Sequence, residues 1–269
     1  MKRARAVGLS LPLFFGLTSV AAAQGQAAQP DEFLQVITVT VRPTGVADYE
    51  DYVKKIVAGA TKIGAPQRWT AYGVGPGGPG YTYSVALPFD NWSEVDGWTT
   101  IPQILSKAYG EAEAARLIKV ARASVERTET AVYRLLPDLS TRPKVFDPPA
   151  AFIQLFVTDV VPEMVPNWEV FLARLKAAQD KAPQAPTSIR RVAVLGASNR
   201  YVTALPFNRY AERDSWPSTL DVLRQAYGET EARNLNETRL RCTREARILV
   251  LAYRPDLSRP AAVPMPASR

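Results

Sequence analysis

The sequence predicts an α+β protein built from two tandem βαββαβ units. Three observations predict it. First, one stretch occurs twice. Ala86-Leu87-Pro88-Phe89, Glu94, Asp96, Trp98 and Ala108-Tyr109-Gly110-Glu111 return as Ala204-Leu205-Pro206-Phe207, Glu212, Asp214, Trp216 and Ala226-Tyr227-Gly228-Glu229, offset by 118 residues. Over Tyr81–Ile118 against Asn199–Asn236, 16 of 38 positions are identical, which makes this a tandem duplication. Second, each copy alternates strand-like and helix-like periodicity in the order β-α-β-β-α-β. Third, its strands are apolar on both parities: Leu34 and Val36 against Phe33, Ile37 and Val39, and Ile153, Leu155 and Val157 against Phe152 and Phe156. A strand apolar on both sides is buried on both sides.

The chain starts with Lys2, Arg3 and Arg5, an apolar run Ala6–Val20 and the small residues Ala21–Ala23. That pattern is a secretory signal peptide over 1–23, too short to span a bilayer comfortably. A retained anchor is the alternative reading of the same run. The expected product is secreted or periplasmic and starts at Gln24, with no membrane span after cleavage. Residues 24–32 form a polar leader.

Unit 1 occupies 33–141. A β-branched, alternating strand covers Phe33–Val41, and Pro43 and Gly45 break it. Tyr49, Tyr52, Val53, Ile56 and Val57 form a helical stripe within Val46–Ile63. Strands follow at Arg68–Val74 and Tyr81–Leu87. Asp90, and Asn208 in the second copy, are placed to cap the next helix, with Glu94 in its first turn. Gly110 ends a helix that begins near Pro102. A longer helix runs from Glu111 to about Arg127, and the fourth strand is Ala131–Leu136. A Pro-rich linker spans 142–151. Unit 2, 152–260, repeats the order: strand Phe152–Val161, helix Val165–Ala178, strands Ile189–Leu195 and Arg200–Leu205, helices Ser218–Ala226 and Glu229–Arg244, and strand Arg247–Tyr253. A Pro/Ala-rich tail closes the chain at 261–269.

A βαββαβ unit is ferredoxin-like: one antiparallel sheet with both helices on one face. Since both sheet faces are apolar, the simplest arrangement packs the two sheets face to face, as an intrachain α+β barrel. Tandem βαββαβ units carrying the Ala-Leu-Pro-Phe…Trp pattern after the third strand resemble the dimeric α+β barrel superfamily, and within it the NIPSNAP-like and antibiotic-biosynthesis-monooxygenase-like families. The resemblance covers Phe33–Pro143 and Phe152–Pro260. That superfamily includes cofactor-independent oxygenases, haem enzymes and proteins of unknown role, and its motifs mark a fold rather than a reaction. No catalytic signature carries over.

Composition narrows the chemistry. Removing Lys2, Arg3 and Arg5 takes the formal charge from +7 to +4, too modest to argue for a nucleic-acid partner. The run Arg239, Arg241, Arg244, Arg247 reads as the solvated side of a helix. Cys242 is the single cysteine, so no internal disulfide forms, and it reads as a small packed residue. Histidine is absent, which removes His-containing triads and His-ligated zinc or haem. No cofactor is expected.

Gly75–Gly80 fits G-x-G-x-x-G, but it joins two strands instead of opening a helix, and reads as a hairpin loop. Glu94, Asp96, Glu212 and Asp214 read as capping groups at the strand–helix corners, where Trp98 and Trp216 pack. Gln35 and Gln154 are lone polar side chains in apolar strands. If the helices cover the Leu34/Val36 face, both glutamines point between the sheets, with Tyr83 and Tyr201 as hydrogen-bond partners. Gln35, Gln154, Tyr83, Tyr201, Trp98 and Trp216 are then the candidate ligand-binding set. The leading functional expectation is an exported protein that binds a small apolar or aromatic molecule in an inter-sheet cavity. The alternatives are a cofactor-independent oxygenase-like enzyme in the same cavity, or a non-catalytic envelope or interaction protein. A homo-oligomer is compatible with each.

Overall fold

The computed structural model describes residues 32–75, 78–141 and 149–259. The expected signal peptide and tail lie outside the described residues, as do nearly all of the leader and most of the linker.

Unit 1 contains β1 (Phe33–Val41), α1 (Val46–Lys62), β2 (Thr70–Val74), β3 (Thr82–Phe89), the short α2 (Trp92–Asp96), α3 (Ile101–Tyr109), α4 (Glu111–Ser124) and β4 (Val125–Leu135). Unit 2 contains β5 (Phe152–Val160), α5 (Val165–Gln179), β6 (Ile189–Leu195), β7 (Arg200–Phe207), α6 (Thr219–Tyr227), α7 (Glu229–Cys242) and β8 (Thr243–Tyr253). A 3₁₀ turn at Tyr210–Ser215 stands where α2 stands in unit 1.

The strands form one closed antiparallel barrel in the order β1-β3-β2-β8-β5-β7-β6-β4. Each unit supplies four neighbouring strands, and the two sheets are also hydrogen-bonded edge to edge. Tyr72–Val74 pairs with Leu251–Tyr253 on one seam, and Val132–Leu135 with Arg191–Leu195 on the other. Closure leaves neither sheet with a long unpaired edge.

The helices lie outside. Val39, Val41, Ala71 and Tyr83 pack with Tyr49 and Val53 of α1, and Leu87 and Trp69 with Ile56, Ile104 and Leu105. Val160 and Tyr201 pack with Trp168, Phe171, Val222 and Leu223. Gly110 (φ 86°) and Gly228 (φ 81°) each end one helix and start the next, in a backbone region that side chains disfavour.

Three local expectations are corrected. β4 and β8 begin at Val125 and Thr243, several residues before the predicted Ala131 and Arg247, because their charged starts pair along the full length of β1 and β5. Arg244 and Arg247 therefore lie on β8, and only Arg239 and Arg241 on a helix. Asp90 and Asn208 do not cap. Glu94 accepts from the Asp90 backbone N–H and Glu212 from those of Asn208 and Arg209, while Asn208 accepts from Ala151.

Candidate functional site: the barrel lumen

The face assignment of the strands decides the site, and the structure reverses the expected one. Directly opposed residues in an antiparallel ladder point to the same side. Val39 and Tyr83 are opposed, and both belong to the helix-side core. Phe33, Gln35 and Ile37 share their parity and face the helices. In unit 2, Thr158 is opposed to Tyr201 of the helix-side core, so Phe152, Gln154 and Phe156 face outward too. None of the four predicted polar residues points between the sheets.

Their partners differ as well. Gln35 lies opposite Leu87 and Val132, and Gln154 opposite Leu205 and Val250. Along β1, Gln35 is four residues from Val39, the position facing Tyr83, a separation of roughly 13 Å. The amides and hydroxyls cannot pair. Gln154 is instead buried with its Oε1 unpartnered. Tyr83 donates to Glu50 on α1 at 2.6 Å, and Tyr201 donates to Glu169 on α5 at 2.8 Å. Burial, followed by the neighbouring Glu50, pushes the Tyr83 phenol up to about 12. Arg254, following β8, also binds Glu50 and holds that carboxyl below its usual range. Trp98 and Trp216 do sit at the corners, edge-on to Phe89 and Phe207 with ring centroids 5.7 Å apart. The six residues are spread along the helix side of both units and do not form one site.

The other parity lines the lumen. Unit 1 contributes Leu34, Val36, Thr38 and Thr40 from β1, opposed on β3 by Pro88, Ala86, Ser84 and Thr82. Unit 2 contributes Ile153, Leu155, Val157 and Asp159 from β5, opposed on β7 by Pro206, Ala204, Val202 and Arg200. The two sides of the sheet are packed differently. Helix-side Leu87, Phe89, Leu205 and Phe207 are buried, whereas lumen-side Val36, Ala86, Leu155, Val157, Val202 and Ala204 are only half-buried. Both faces are mixed, however: helix-side Phe33, Ile37, Phe152 and Phe156 are also half-buried, and lumen-side Tyr72, Thr82, Ser84, Tyr133, Asp159 and Leu251 are buried, so the accessible lumen wall is the apolar patch just named.

One end of the lumen is charged. Arg200 holds Asp159 with two hydrogen bonds, 2.6 and 2.8 Å, from side chains 19% and 8% exposed. This bond, the first of its causes, keeps the Asp159 carboxyl below the usual range. Tyr133 of β4 lies near the same guanidinium from across the second seam, and burial raises its phenol. Two exposed ion pairs, Arg127–Glu129 and Arg247–Glu245, lie opposite Thr38/Thr40 of β1 and Val157/Asp159 of β5. At the other seam, Tyr72 and Tyr253 sit with ring centroids 5.7 Å apart, and burial pushes Tyr72 up to about 12.

Sequence reasoning missed Asp159 and Arg200. No local signal joins them: α5 and β6 lie between β5 and β7 in the chain, and only the strand register pairs the two charges. The Gly75–Gly80 segment joins β2 to β3 as a hairpin, with residues 76 and 77 outside the described residues. Cys242 is fully buried. A histidine-ligated haem does not fit a chain with no histidine, and among the described residues no group of three or more His, Cys, Asp or Glu is placed to hold a metal. Among the described residues no helix is long and apolar enough to cross a membrane.

No protein-family model and no curated protein matches the chain. Solved structures do. An anthrone oxidase-like protein superposes with a TM-score of 0.53 at 14% identity, over 89% of this chain and 98% of that one. A candidate monooxygenase from Fusobacterium nucleatum gives 0.51 at 11% identity, over 83% and 93%. Chlorite dismutase from Candidatus Nitrospira defluvii, in complex with imidazole, gives 0.50 at 8% identity, over 85% and 93%. With the closed eight-stranded barrel, these likenesses show the dimeric α+β barrel fold, here within one chain.

Proposed function

We propose that this chain is an exported protein that binds a small, largely apolar molecule in the lumen of its barrel. The observation that carries the reading is an apolar patch on the inner face of the barrel that is not closed off. An apolar patch of the lumen wall, Val36, Ala86, Leu155, Val157, Val202 and Ala204, keeps accessible surface beside a few polar groups, the usual form of a small-molecule site. Export rests on the basic start, the short apolar run and Ala21–Ala23. N-terminal sequencing of secreted material should begin at Gln24; secreted material beginning at Met1 would refute cleavage, and absence of the chain from the secreted fraction would refute export.

Binding is tested with the mature chain and the neutral dye Nile red. Saturable fluorescence is expected. Ala204→Trp fills the lumen and should weaken the apparent affinity about tenfold, a change of about 1.4 kcal/mol. Thr128→Trp, on the exposed outer side of β4, should leave it unchanged. Binding indifferent to Ala204→Trp would place the dye elsewhere and end the lumen reading.

A second reading is an oxygenase-like enzyme in the same lumen. It is favoured by the fold shared with an anthrone oxidase-like protein and a candidate monooxygenase. Dioxygen uptake with anthrone, above the protein-free rate and lost in Ala204→Trp, would support it. Binding without uptake leaves the first reading standing.

A further inference from the structure

The two halves of the lumen wall are not alike, and this bears on what the lumen accepts. Register places equivalent positions of the two units at equivalent places on the wall. Where unit 1 has Thr38, unit 2 has Val157; where unit 1 has Ser84, unit 2 has Val202. Thr40 and Thr82 of unit 1 correspond to Asp159 and Arg200, which saturate each other. Tyr72 and Tyr133 add two phenols on the unit 1 side, and Leu251 of unit 2 stands where Tyr133 does. Tyr253 is the one phenol unit 2 contributes, and it sits against Tyr72 at the seam. At these positions unit 1 presents hydroxyls to the lumen where unit 2 presents the hydrocarbon of Val157, Val202 and Leu251 or the closed Asp159–Arg200 pair.

Among the described residues, the hydroxyls of Thr38, Thr40 and Ser84 have no hydrogen-bond partner in the protein, and the Ser84 oxygen is not sealed from solvent. Buried or half-buried hydroxyls need partners, so these three are available to something in the lumen. The charges are not available in the same way. Asp159 with Arg200, Arg127 with Glu129 and Glu245 with Arg247 are compensated within pairs. Arg191 reaches back to the Glu32 carbonyl. An ion meeting these three pairs would lose hydration without meeting an uncompensated opposite charge.

The geometry points to a neutral amphipathic ligand, carrying hydroxyl or carbonyl oxygens along one edge. That edge meets Thr38 and Ser84 of unit 1, and the hydrocarbon face lies against Leu155, Val157 and Val202 of unit 2. This rests on the lumen-binding reading above and deepens it by setting the ligand's charge and orientation. Thr38 and Ser84 are the specificity-determining residues.

The test uses three matched probes at pH 7: naphthalene, 2-naphthol and 2-naphthoate, titrated into the mature chain and into a Thr38→Val/Ser84→Ala variant. In the unaltered chain 2-naphthol should bind about tenfold tighter than either of the others, the worth of one or two well-placed hydrogen bonds. In the variant its advantage over naphthalene should fall to about threefold or less, with naphthalene itself unchanged. Thermal denaturation of both proteins separates loss of a contact from loss of the fold. Equal binding of naphthol and naphthalene, tightest binding of the naphthoate, or a naphthol preference that survives in the variant would each overturn the inference. Failure of all three probes while Nile red still responds to Ala204→Trp would overturn this inference alone. Failure of Nile red as well would remove the reading beneath it.

Discussion

Leu105 and Leu223 lie 118 residues apart in the chain, and each is fully buried beneath the helices of its own unit. Thr38 and Val157 are likewise equivalent, yet one is a hydroxyl and the other a hydrocarbon facing the same lumen. Other outward-facing pairs follow the leucines. Phe33 stacks on Phe89 at 5.2 Å and Phe152 on Phe207 at 5.3 Å, and Tyr83–Glu50 is matched by Tyr201–Glu169. The lumen-facing pairs Ser84/Val202, Thr82/Arg200 and Tyr133/Leu251 follow the threonine and valine, while Ala86/Ala204 and Pro88/Pro206 stay alike. The difference has a physical basis. Each outward face packs on its own helices, so both units solve the same problem. The inner faces meet each other. In a dimer of identical units the two walls would have to be identical, because a two-fold interface repeats every residue. Joining the units in one chain lifts that requirement and permits a lumen with two different walls.

Within the outer faces one exception is instructive. The carbonyl of Leu257 accepts from the Trp69 indole at 2.9 Å, and the equivalent carbonyl of Leu139 accepts from the Arg190 guanidinium. Ser258 and Ser140 accept from the backbone N–H of Ala71 and Arg190, both at 2.8 Å. The same backbone need is met by different donors. Arg190 meets it at a cost: it is fully buried, its Nε has no partner, and desolvation lowers its pKa to about 10.

The largest effect that can break the comparison is in the cores. Leu105→Ala and Leu223→Ala should each destabilise by about 2–5 kcal/mol, through lost transfer energy and a residual cavity. The two values should agree within about 1 kcal/mol. Chemical denaturation of the two variants measures this, and a loss confined to one would mean that the helix-side cores are not equivalent.

The same contrast explains what could be seen in the sequence. The duplication, the eight strands and the corner tryptophans were legible because repeats, alternation and Ala-Leu-Pro-Phe are local signals. The choice of face was not. Leu34 and Val36 are as apolar as Ile37 and Val39, so hydrophobicity alone cannot say which set lies under helices. Gln35 and Gln154 were misassigned for that reason. Two patterns point the right way: the aromatic parity of Phe33, Phe89, Phe152 and Phe207, and the gathering of Thr38, Thr40, Thr82 and Ser84 on the opposite parity of unit 1. The starts of β4 and β8 were hidden because Glu126–Glu129 and Arg244–Arg247 are exposed and charged, and read as helix surface. Asp159 and Arg200 are 41 residues apart in sequence, and only the β5–β7 register brings them together.

An intermediate effect separates the two lumen walls by pH. Arg200 depresses the Asp159 pKa in the folded protein. A depressed carboxylate contributes stability that is complete above its unfolded value, near pH 4, and that is lost as pH falls through the lower folded value. Asp159→Asn should therefore cost about 1–3 kcal/mol at pH 7, where it leaves Arg200 without its charged partner. The gap to the unaltered protein should close below about pH 4 as Asp159 itself is protonated. Thr40→Val, at the equivalent place in unit 1, should show a small cost that does not vary with pH. Urea denaturation between pH 2 and 7 resolves the two. A pH-independent loss in Asp159→Asn would mean that the ion pair contributes through packing alone.

The smallest effect concerns the glutamines. Both face the helices, but their surroundings differ: Gln154 is 7% exposed with an unpartnered Oε1, while Gln35 is half-buried and is not among the side chains with a sealed, unpartnered atom. A buried acceptor without a donor loses its hydration and gains nothing in return. Gln154→Leu removes that acceptor and keeps nearly the same volume between Leu205 and Val250. It should raise stability by about 1 kcal/mol, which for a protein of this size is about 2–4 °C in Tm. Gln35→Leu should fall within about 0.5 kcal/mol of zero. Neither should alter Nile red binding, since neither side chain faces the lumen. A destabilised Gln154→Leu would show that the amide is satisfied in solution, by water or by a small shift of α6, and that the two units agree at this position as well.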